Sequence, residues 1–259
     1  MELILTVIIL AFLFETMDSC AGMGFGTGLT PLLFLLGYDP LQVTPILLIS
    51  EAITGFTSGF FHQEFENVHF TIKRPWNKET KIMILMSVTG CLAIIVSVTL
   101  TYLTFQLPKE SIKIYVALLV FLMGILGILR LRRSSVYRPK LLAGFATLAG
   151  FNKGIGAGGY GPIVMMGQLF SGVYEKTACA IASFSEGFVS LIGIGTFFLI
   201  SAYGVTIDFV LLPSVFTGGF IAAMLSPYLV RVLPNKLWKY VIPIYAIAIG
   251  IYLLFTLFT

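Results

Sequence analysis

The chain has 259 residues, of which 58% are hydrophobic and 11% are charged, and its mean hydropathy is +0.98. A soluble domain carries about 25% charged residues, so this composition excludes a soluble globular protein and indicates an integral membrane protein, with the lipid bilayer as a partner. The net charge of +4 is small and dispersed, and it gives no indication of nucleic-acid binding.

Ten apolar runs follow one another, six close to spanning length and four about half as long. None shows the alternation of barrel strands, so we predict an all-α polytopic membrane fold. In chain order the runs are Leu3–Phe14, Leu29–Leu36, Leu41–Phe61, Ile82–Phe105, Ile112–Leu129, Leu141–Phe151, Pro162–Phe170, Thr177–Ile200, Phe209–Val230 and Val241–Phe258.

The order of the runs repeats, because a pair of half-length runs followed by three long ones occurs twice. Ser50-Glu51 and Ser185-Glu186 are offset by 135 residues. We therefore predict two four-segment repeats, 1–133 and 134–259, within a single membrane domain. Such internal duplication is typical of secondary transporters, whose binding site lies at the repeat interface.

Each repeat opens with a glycine-rich stretch, Gly22–Pro31 in the first and Gly154–Pro162 in the second. Each stretch separates two half-length runs, whereas crossing a bilayer takes about 20 helical residues. Glycine lets the backbone leave a helix, and proline is well suited to the first turn of the next one. Unwound backbone at membrane depth must be buried in protein or line a cavity. We therefore expect two discontinuous helices whose breaks face a shared site.

Charge placement bears on whether the broken helices span the membrane or are re-entrant. If both span, the loop lysines and arginines divide almost evenly between the two sides. If both broken helices are re-entrant, each returns to the side of the membrane from which it enters. In that case only Lys109 and Lys113 lie on the side that holds the two termini. Cytoplasmic loops are rich in Lys and Arg, which favours re-entrant helices, an inverted relation between the repeats and termini outside the cytoplasm.

The breaks predict an anion site, because a helix that begins after glycine directs free N–H groups and its positive dipole end into the gap. The alternative is that the glycines only permit close helix packing. The predicted substrate-binding residues are Gly24, Gly26, Thr27, Gly28, Thr30, Asn152, Lys153, Gly156, Gly158, Gly159 and Tyr160.

Glu51 and Glu186 each lie near the middle of an apolar spanning run. A carboxylate at mid-bilayer costs about 2.5–3.5 kcal/mol on insertion scales, so both should face the bundle interior. We interpret them as proton carriers; the alternative is a protonated glutamic acid that joins helices. The predicted lining residues beside them are Ser50, Thr54, Ser183 and Ser185.

Further charged groups precede the breaks. Glu15 and Asp18 lie before the first, and Lys153 lies at the second, offset from Asp18 by 135 residues. Either Asp18 and Lys153 neutralise each other, or Lys153 is the counter-charge of the anion while Asp18 and Glu15 belong to the proton path. We expect His62 to be interfacial and solvated.

The residues Asp18–Pro31 and Gly154–Pro162 resemble the glycine-rich segments of the TauE/SafE family of membrane permeases, and the likeness covers nearly the whole chain. The resemblance implies a multi-pass protein that transports small sulfur-containing or carboxylate anions across the cytoplasmic (inner) cell membrane, with sulfite, thiosulfate and sulfonates including sulfoacetate as candidates. Family members often carry an acidic residue just before the second glycine run, where this chain has Asn152 and Lys153. That difference fits a site biased toward anions.

The leading hypothesis is a proton-coupled secondary transporter for a small anion, working by alternating access. The alternatives are an uncoupled anion channel and an intramembrane enzyme, and against the enzyme no catalytic constellation occurs at mid-membrane. No cofactor or metal site is predicted, because the three cysteines have no ligand spacing. Sodium as the coupling ion and a homodimeric assembly remain open.

Overall fold

The computed structural model describes residues 3–105, 136–204 and 207–258, together with nine helical positions between 111 and 129. Every regular element in this part of the chain is helical, which confirms the all-α prediction. In order they are α1 (Leu5–Ala21), a π-helical turn (Phe25–Leu29), α2 (Thr30–Leu35), α3 (Pro40–Glu64), α4 (Lys78–Thr99) with a π-helical continuation (Leu100–Phe105), α5 (Pro139–Gly156), α6 (Tyr160–Phe170), α7 (Glu175–Ser201), α8 (Leu212–Val232) and α9 (Asn235–Phe258).

Four helical stretches among the described residues are long and apolar enough to cross a bilayer. They confirm a multi-pass membrane protein. Most of the predicted run 112–129, the basic residues Lys109 and Lys113, and the predicted repeat boundary at residues 133 and 134 lie outside the described part. The four stretches are Leu41–Glu64, Lys78–Thr104, Glu175–Ser201 and Leu212–Val232.

Local signals explain where the long helices begin. Asp39 precedes α3 and forms a capping box with Gln42, whose side chain accepts a hydrogen bond from the Asp39 N–H at 3.0 Å. Pro40 follows at the first helical position, where its missing N–H costs nothing. Asn77 caps α4 by accepting a hydrogen bond from the Thr80 N–H at 3.0 Å.

The glycine-rich stretches interrupt the helices, but over fewer residues than expected. α1 continues through Glu15 and Asp18 to Ala21, rather than ending with its apolar run at Phe14. α5 likewise continues through Gly154 and Gly156, so neither glycine lies in a break. The unwound residues are 22–24 and 157–159. Glycine disfavours a helix by only about 1 kcal/mol, which helix packing overrides here.

The chain reverses direction at both breaks. Phe145 precedes the second break by twelve residues and Phe170 follows it by eleven, yet their ring centroids are 5.8 Å apart. A helix continuing straight on would separate them by about 35 Å. At the first break, Gly28 likewise lies against the ring of Phe14. The pairs α1–α2 and α5–α6 are therefore helical hairpins.

The two hairpins enter the bundle from opposite ends. At the N-terminal end, the Ile4 N–H donates to Ser214 Oγ at 2.9 Å, which places the start of α1 beside the start of α8. The opposite end carries Lys73, Arg74, Lys176 and Arg231 and is called the basic end. There, Arg231 at the end of α8 forms a 2.8 Å ion pair with Glu66, in the loop before α4. α5 begins at this basic end, because Lys78 at the start of α4 lies over the Tyr137 ring.

The helices pack in matched pairs. α1 packs along α8 and α5 packs along α4, while α3 crosses α7 near the middle of both. α3 also packs on α8, as α7 packs on α4. In the predicted repeats, α1 is equivalent to α5, α3 to α7 and α4 to α8. When each of these helices is replaced by its equivalent, the same set of contacts results. The hairpin tips meet at the centre of the arrangement.

Candidate functional site

The backbones of the two breaks are in direct contact at the centre of the bundle. Gly26, in the π-helical turn, lies against the carbonyl of Ala157, and an ideal Cβ on Gly158 would be 3.0 Å from the Gly26 carbonyl. The Gly159 N–H donates a 3.0 Å hydrogen bond to Thr27 Oγ1. Ala157 has φ 58°, a conformation that non-glycine residues rarely adopt. A side chain at Gly26 would collide with the opposite break and one at Gly158 would crowd it, which explains these two glycines.

A buried ion triad adjoins this contact. Lys153 is fully buried, and its Nζ lies 2.6 Å from Glu51 Oε2 and 2.6 Å from Glu186 Oε1. The same Nζ lies 5.4 Å from the centre of the Tyr160 ring, within cation–π range. One ammonium between two carboxylates is a strong charge-assisted arrangement, but it carries a net charge of −1 when both are ionised.

Two more carboxyl groups lie on α1 beside the triad. Glu15 accepts hydrogen bonds from Ser19 Oγ at 2.9 Å and from Thr54 Oγ1 at 3.3 Å. Asp18 Oδ1 accepts one from the Phe25 N–H at 3.2 Å, so its side chain caps the turn that follows the first break. Lys153 binds the two glutamates rather than Asp18, so the Asp18–Lys153 pair suggested by the sequence offset is wrong.

Four carboxyl groups thus lie together in the site, and two of them bind the Lys153 ammonium. They surround a narrow gap that has no room for a water-sized sphere, so the site is closed in this conformation. Several like charges in such a low-dielectric space cannot all be ionised, because each added charge raises the energy of the others. The site is therefore able to hold protons. The lining residues are Glu15, Asp18, Glu51, Thr54, Gly55, Ser183 and Glu186.

Several polar side-chain atoms on the elements that form the site lack a hydrogen-bond partner within the described part of the chain. They are buried, and buried polar atoms are normally paired. Glu51 Oε1 faces Gly26, whose ideal Cβ would be 2.9 Å from it. These atoms could bind a guest without first breaking an internal bond. They are Thr30 Oγ1, Ser50 Oγ, Glu51 Oε1, Asn152 Oδ1 and Ser190 Oγ.

Other predicted site residues are engaged within the protein. The Tyr160 hydroxyl donates to Ser185 Oγ at 3.1 Å, and Ser183 Oγ accepts from Ser58 Oγ at 3.2 Å. Asn152 Nδ2 donates to the Gly158 carbonyl at 3.1 Å. The predicted substrate-binding glycines divide between two roles. Gly26, Gly158 and Gly159 lie where the breaks touch, whereas Gly24 and Gly28 lie against α1 and Gly156 is the last residue of α5.

Sequence reasoning placed His62 wrongly. Its side chain is fully buried and bonded on both ring nitrogens, so it is not solvated, although it lies in the last turn of α3. Helical periodicity could have revealed this, because a spacing of eleven residues places His62 within about 20° of Glu51 on the helix. No cluster of three or more His, Cys, Asp or Glu side chains able to hold a metal occurs among the residues that the structure describes.

Comparison with known proteins identifies the family. The model of the family "Sulfite exporter TauE/SafE" matches residues 7–253. One curated relative is the "Probable membrane transporter protein YtnM" of Bacillus subtilis (strain 168), 25% identical over 236 residues that span 86% of this chain and 73% of the relative. The match covers both hairpins and the triad between them. The chain therefore belongs to the TauE/SafE family of membrane transporters and is a multi-pass protein of the cell membrane.

Proposed function

We propose that the protein is a secondary transporter that moves a small sulfur-containing or organic anion, of the sulfite, thiosulfate and sulfonate class, together with protons. The family name supports the chemical class. The observation that carries the proposal is the buried Lys153 ammonium between Glu51 and Glu186. An ammonium is the natural counter-charge of an anion, and in this site two proton-accepting groups hold it.

Charge balance links the anion to the protons. An anion can replace a carboxylate on Lys153 Nζ only if that carboxylate becomes neutral. Two like charges about 4 Å apart repel by about 4 kcal/mol at the effective dielectric constant of a protein. Taking up a proton removes this repulsion, so each negative charge of the guest requires one proton on Glu51 or Glu186. The expected transport is therefore electroneutral for monoanions and dianions alike.

Two buried, unpaired hydroxyl groups, one at the start of α2 and one on α3, support an anion guest of several oxygens. The Thr30 and Ser50 hydroxyls can donate hydrogen bonds, and neither has a partner within the described residues. The π-helical turn after the first break supplies backbone near the same place, and such turns often occur at functional sites. We assign the Thr30 and Ser50 hydroxyls to binding of the anion. The Glu15 and Asp18 carboxyl groups belong to the proton path.

We further propose that both hairpins are re-entrant and that the repeats 1–133 and 134–259 are inverted. The opposite entry of the hairpins and the exchange of equivalent helix contacts support this arrangement. The basic end carries Lys73 and Arg74 in the loop before α4, Lys176 at the start of α7 and Arg231 at the end of α8, which supports a cytoplasmic location for that end. Alternating access would then open the closed gap to one side at a time by moving a hairpin tip away from its partner.

Flux measurements in proteoliposomes test the proposal. Radiolabelled sulfite, thiosulfate and sulfoacetate are offered with an imposed pH gradient, with a membrane potential alone, and with neither. The expected result is a saturable flux of at least one of them that follows the pH gradient. A linear flux that ignores the pH gradient would identify an anion channel instead. No flux of any of the three would reject the sulfur-anion class.

A further inference from the structure

A groove between α4 and α7 lies outside the closed gap of the central site. Its volume is about 420 Å³, within the range of about 300–1,000 Å³ that is typical of small-molecule sites. Six side chains from residues 83–92 of α4 form one wall, and Phe188 and Ile192 of α7 form the other. Ser87 and Cys91 leave the space, because every other position of the lining carries a larger apolar side chain.

The lining offers an occupant very little hydrogen bonding. The hydroxyl of Ser87, its most polar group, donates to Met83 Sδ at 3.7 Å. Val88 and Leu92 at the rim are more than half exposed, although both belong to a spanning helix. The groove therefore opens to the hydrocarbon of the bilayer. An apolar chain is its natural occupant, because a polar group there would lose its partners in water without gaining new ones.

The groove has the depth of one bilayer leaflet, measured from the basic end. α4 begins at Lys78 at that end, and the lining starts at Met83 and finishes at Leu92. At about 1.5 Å per residue, these two positions lie about 7 Å and about 21 Å from the start of the helix. The hydrocarbon core is about 30 Å thick, so one leaflet contributes about 15 Å. The groove thus runs from just below the headgroups to the middle of the bilayer, along the path of an acyl chain.

Basic side chains lie at the headgroup end of the groove. Lys81 is exposed, and at about 100° per residue it lies within about 20° of Val88 around the helix, directly above the rim. Lys78 is exposed about 60° away from Lys81, and its Nζ lies 5.0 Å from the centre of the Tyr137 ring. The acidic residue of this turn, Glu79, lies about 160° away from Lys81. A headgroup above the groove would therefore meet the ammonium groups rather than the carboxylate.

A second copy of the chain fits this face less well than a lipid does. Symmetric pairing about an axis along the membrane normal brings the same surface of both copies together at the same depth. Lys81 of each copy would then approach its counterpart at the mouth of the groove, and like charges repel. An anionic phospholipid supplies the opposite charge at that depth, and its chain supplies the apolar filling below.

We propose that the groove binds one acyl chain of an anionic phospholipid whose phosphate lies against Lys81, with Lys78 beside it. The cytoplasmic leaflet carries the anionic lipids, which agrees with the cytoplasmic location proposed for the basic end. The groove adjoins the central site through Gly90, next to its lining, where an ideal Cβ would be 3.6 Å from the Tyr160 hydroxyl. A bound chain therefore supports the contact of α4 with α7, the helix that carries one glutamate of the triad.

Thermal unfolding of the delipidated protein in detergent measures this binding. Phosphatidylglycerol and phosphatidylcholine with the same chains are added in parallel, and glycerol 3-phosphate supplies an anionic headgroup without chains. Phosphatidylglycerol at about one hundred times its Kd should raise Tm by at least about 5 °C. Phosphatidylcholine should raise it by much less, and glycerol 3-phosphate should leave it unchanged.

Two pairs of variants locate the lipid. Lys81→Gln should weaken phosphatidylglycerol binding by about fivefold, the loss expected for one surface lysine. Lys236→Gln is its control, at an exposed lysine in the first turn of α9, and should not weaken binding. Val88→Trp should abolish the rise in Tm by filling the groove. Val96→Trp should preserve it, because Val96 is similarly exposed on α4 but does not line the groove.

Cys91 gives a second readout that needs no substitution. It is half-buried in the lining of the groove, whereas Cys20 and Cys179 are buried in the protein. Phosphatidylglycerol at about ten times its Kd should slow the modification of Cys91 by an apolar maleimide about tenfold, because the chain occupies the groove.

Several outcomes would overturn the inference. Equal shifts in Tm from both phospholipids, or unchanged binding in Lys81→Gln, would exclude recognition of the anionic headgroup. A shift from glycerol 3-phosphate equal to that from phosphatidylglycerol would exclude the chain. A rise in Tm that survives Val88→Trp, or labelling of Cys91 that ignores added lipid, would place the lipid elsewhere. A change from dimer to monomer in Val88→Trp, measured by light scattering, would assign the groove to a second copy.

Discussion

The buried triad yields a stability prediction that can be worked out from its geometry. Lys153→Met removes the ammonium and keeps a side chain of similar length. Glu51 and Glu186, each 2.6 Å from Nζ, are then left in a closed space without their counter-charge. Breaking a buried ion pair from one side typically costs about 3–5 kcal/mol, because a buried charge is left uncompensated. For a chain of this size that corresponds to a fall in Tm of about 6–20 °C.

The cost should also depend on pH. In the variant, proton binding relieves the folded protein of an uncompensated buried charge, whereas in the unfolded chain the same carboxyl groups are solvated and ionise as in water. The folded state then binds more protons than the unfolded state, so stability falls as pH rises. Each proton retained in this way lowers the free energy of unfolding by about 1.4 kcal/mol per pH unit.

Thermal unfolding of the purified protein in detergent, between pH 5 and 8, measures both effects. The matched control is Lys153→Met combined with Glu51→Gln and Glu186→Gln, which replaces the whole triad with neutral groups. We expect this triple variant to recover most of the lost Tm and to lose the added pH dependence, because the two carboxylates that Lys153 compensated are gone. A single variant as stable as the unchanged protein, or a triple variant that is no more stable than the single, would refute the reasoning.

The same site yields three further predictions. Glu51→Gln and Glu186→Gln should each remove uptake driven by a pH gradient while the purified protein keeps a cooperative thermal transition; full activity in both would remove the coupling claim. Gly26→Ala should lower the free energy of unfolding by about 1–3 kcal/mol, because its Cβ would meet the opposite break, whereas Gly195→Ala, with open space around it, should be neutral or stabilising. Tyr160→Phe should lower the free energy of unfolding by about 1 kcal/mol, because the hydrogen bond from its hydroxyl to Ser185 is lost. An unchanged denaturation midpoint would show that this hydrogen bond does not stabilise the fold.

The sequence predicted the helical class and the position of the breaks, because both depend on local chemistry. An apolar composition with few charges leaves helices as the spanning element. Glycines clustered at Gly22–Pro31 and Gly154–Pro162 mark where helices stop. The bounds were harder to predict, because Gly154 and Gly156 fit a helix once it is packed. A single glycine permits both states, and only the neighbouring helices decide between them.

The partners within the site could not be read from the sequence. Glu51 and Glu186 stand out as lone carboxyl groups in apolar runs, but Lys153 is 102 and 33 residues away from them. The repeat offset suggested Asp18 for Lys153, since equivalent positions often meet at a pseudo-symmetry axis. Near the end of α5, just before the second break, Lys153 instead reaches Glu51 of α3 and Glu186 of α7. The burial of His62, by contrast, could have been predicted, because its spacing of eleven residues from Glu51 places both side chains on one face of the helix.

The central claim is that an anion replaces a glutamate on Lys153 and that this glutamate takes up a proton. The number of protons taken up with each anion tests it most directly. A pH-sensitive dye and a radiolabel, followed together in proteoliposomes, measure this ratio for methanesulfonate, a monoanion, and for thiosulfate, a dianion. The account predicts that one proton is taken up with each methanesulfonate and two protons with each thiosulfate, for whichever of these anions the protein transports. Anion entry without any proton uptake would contradict it.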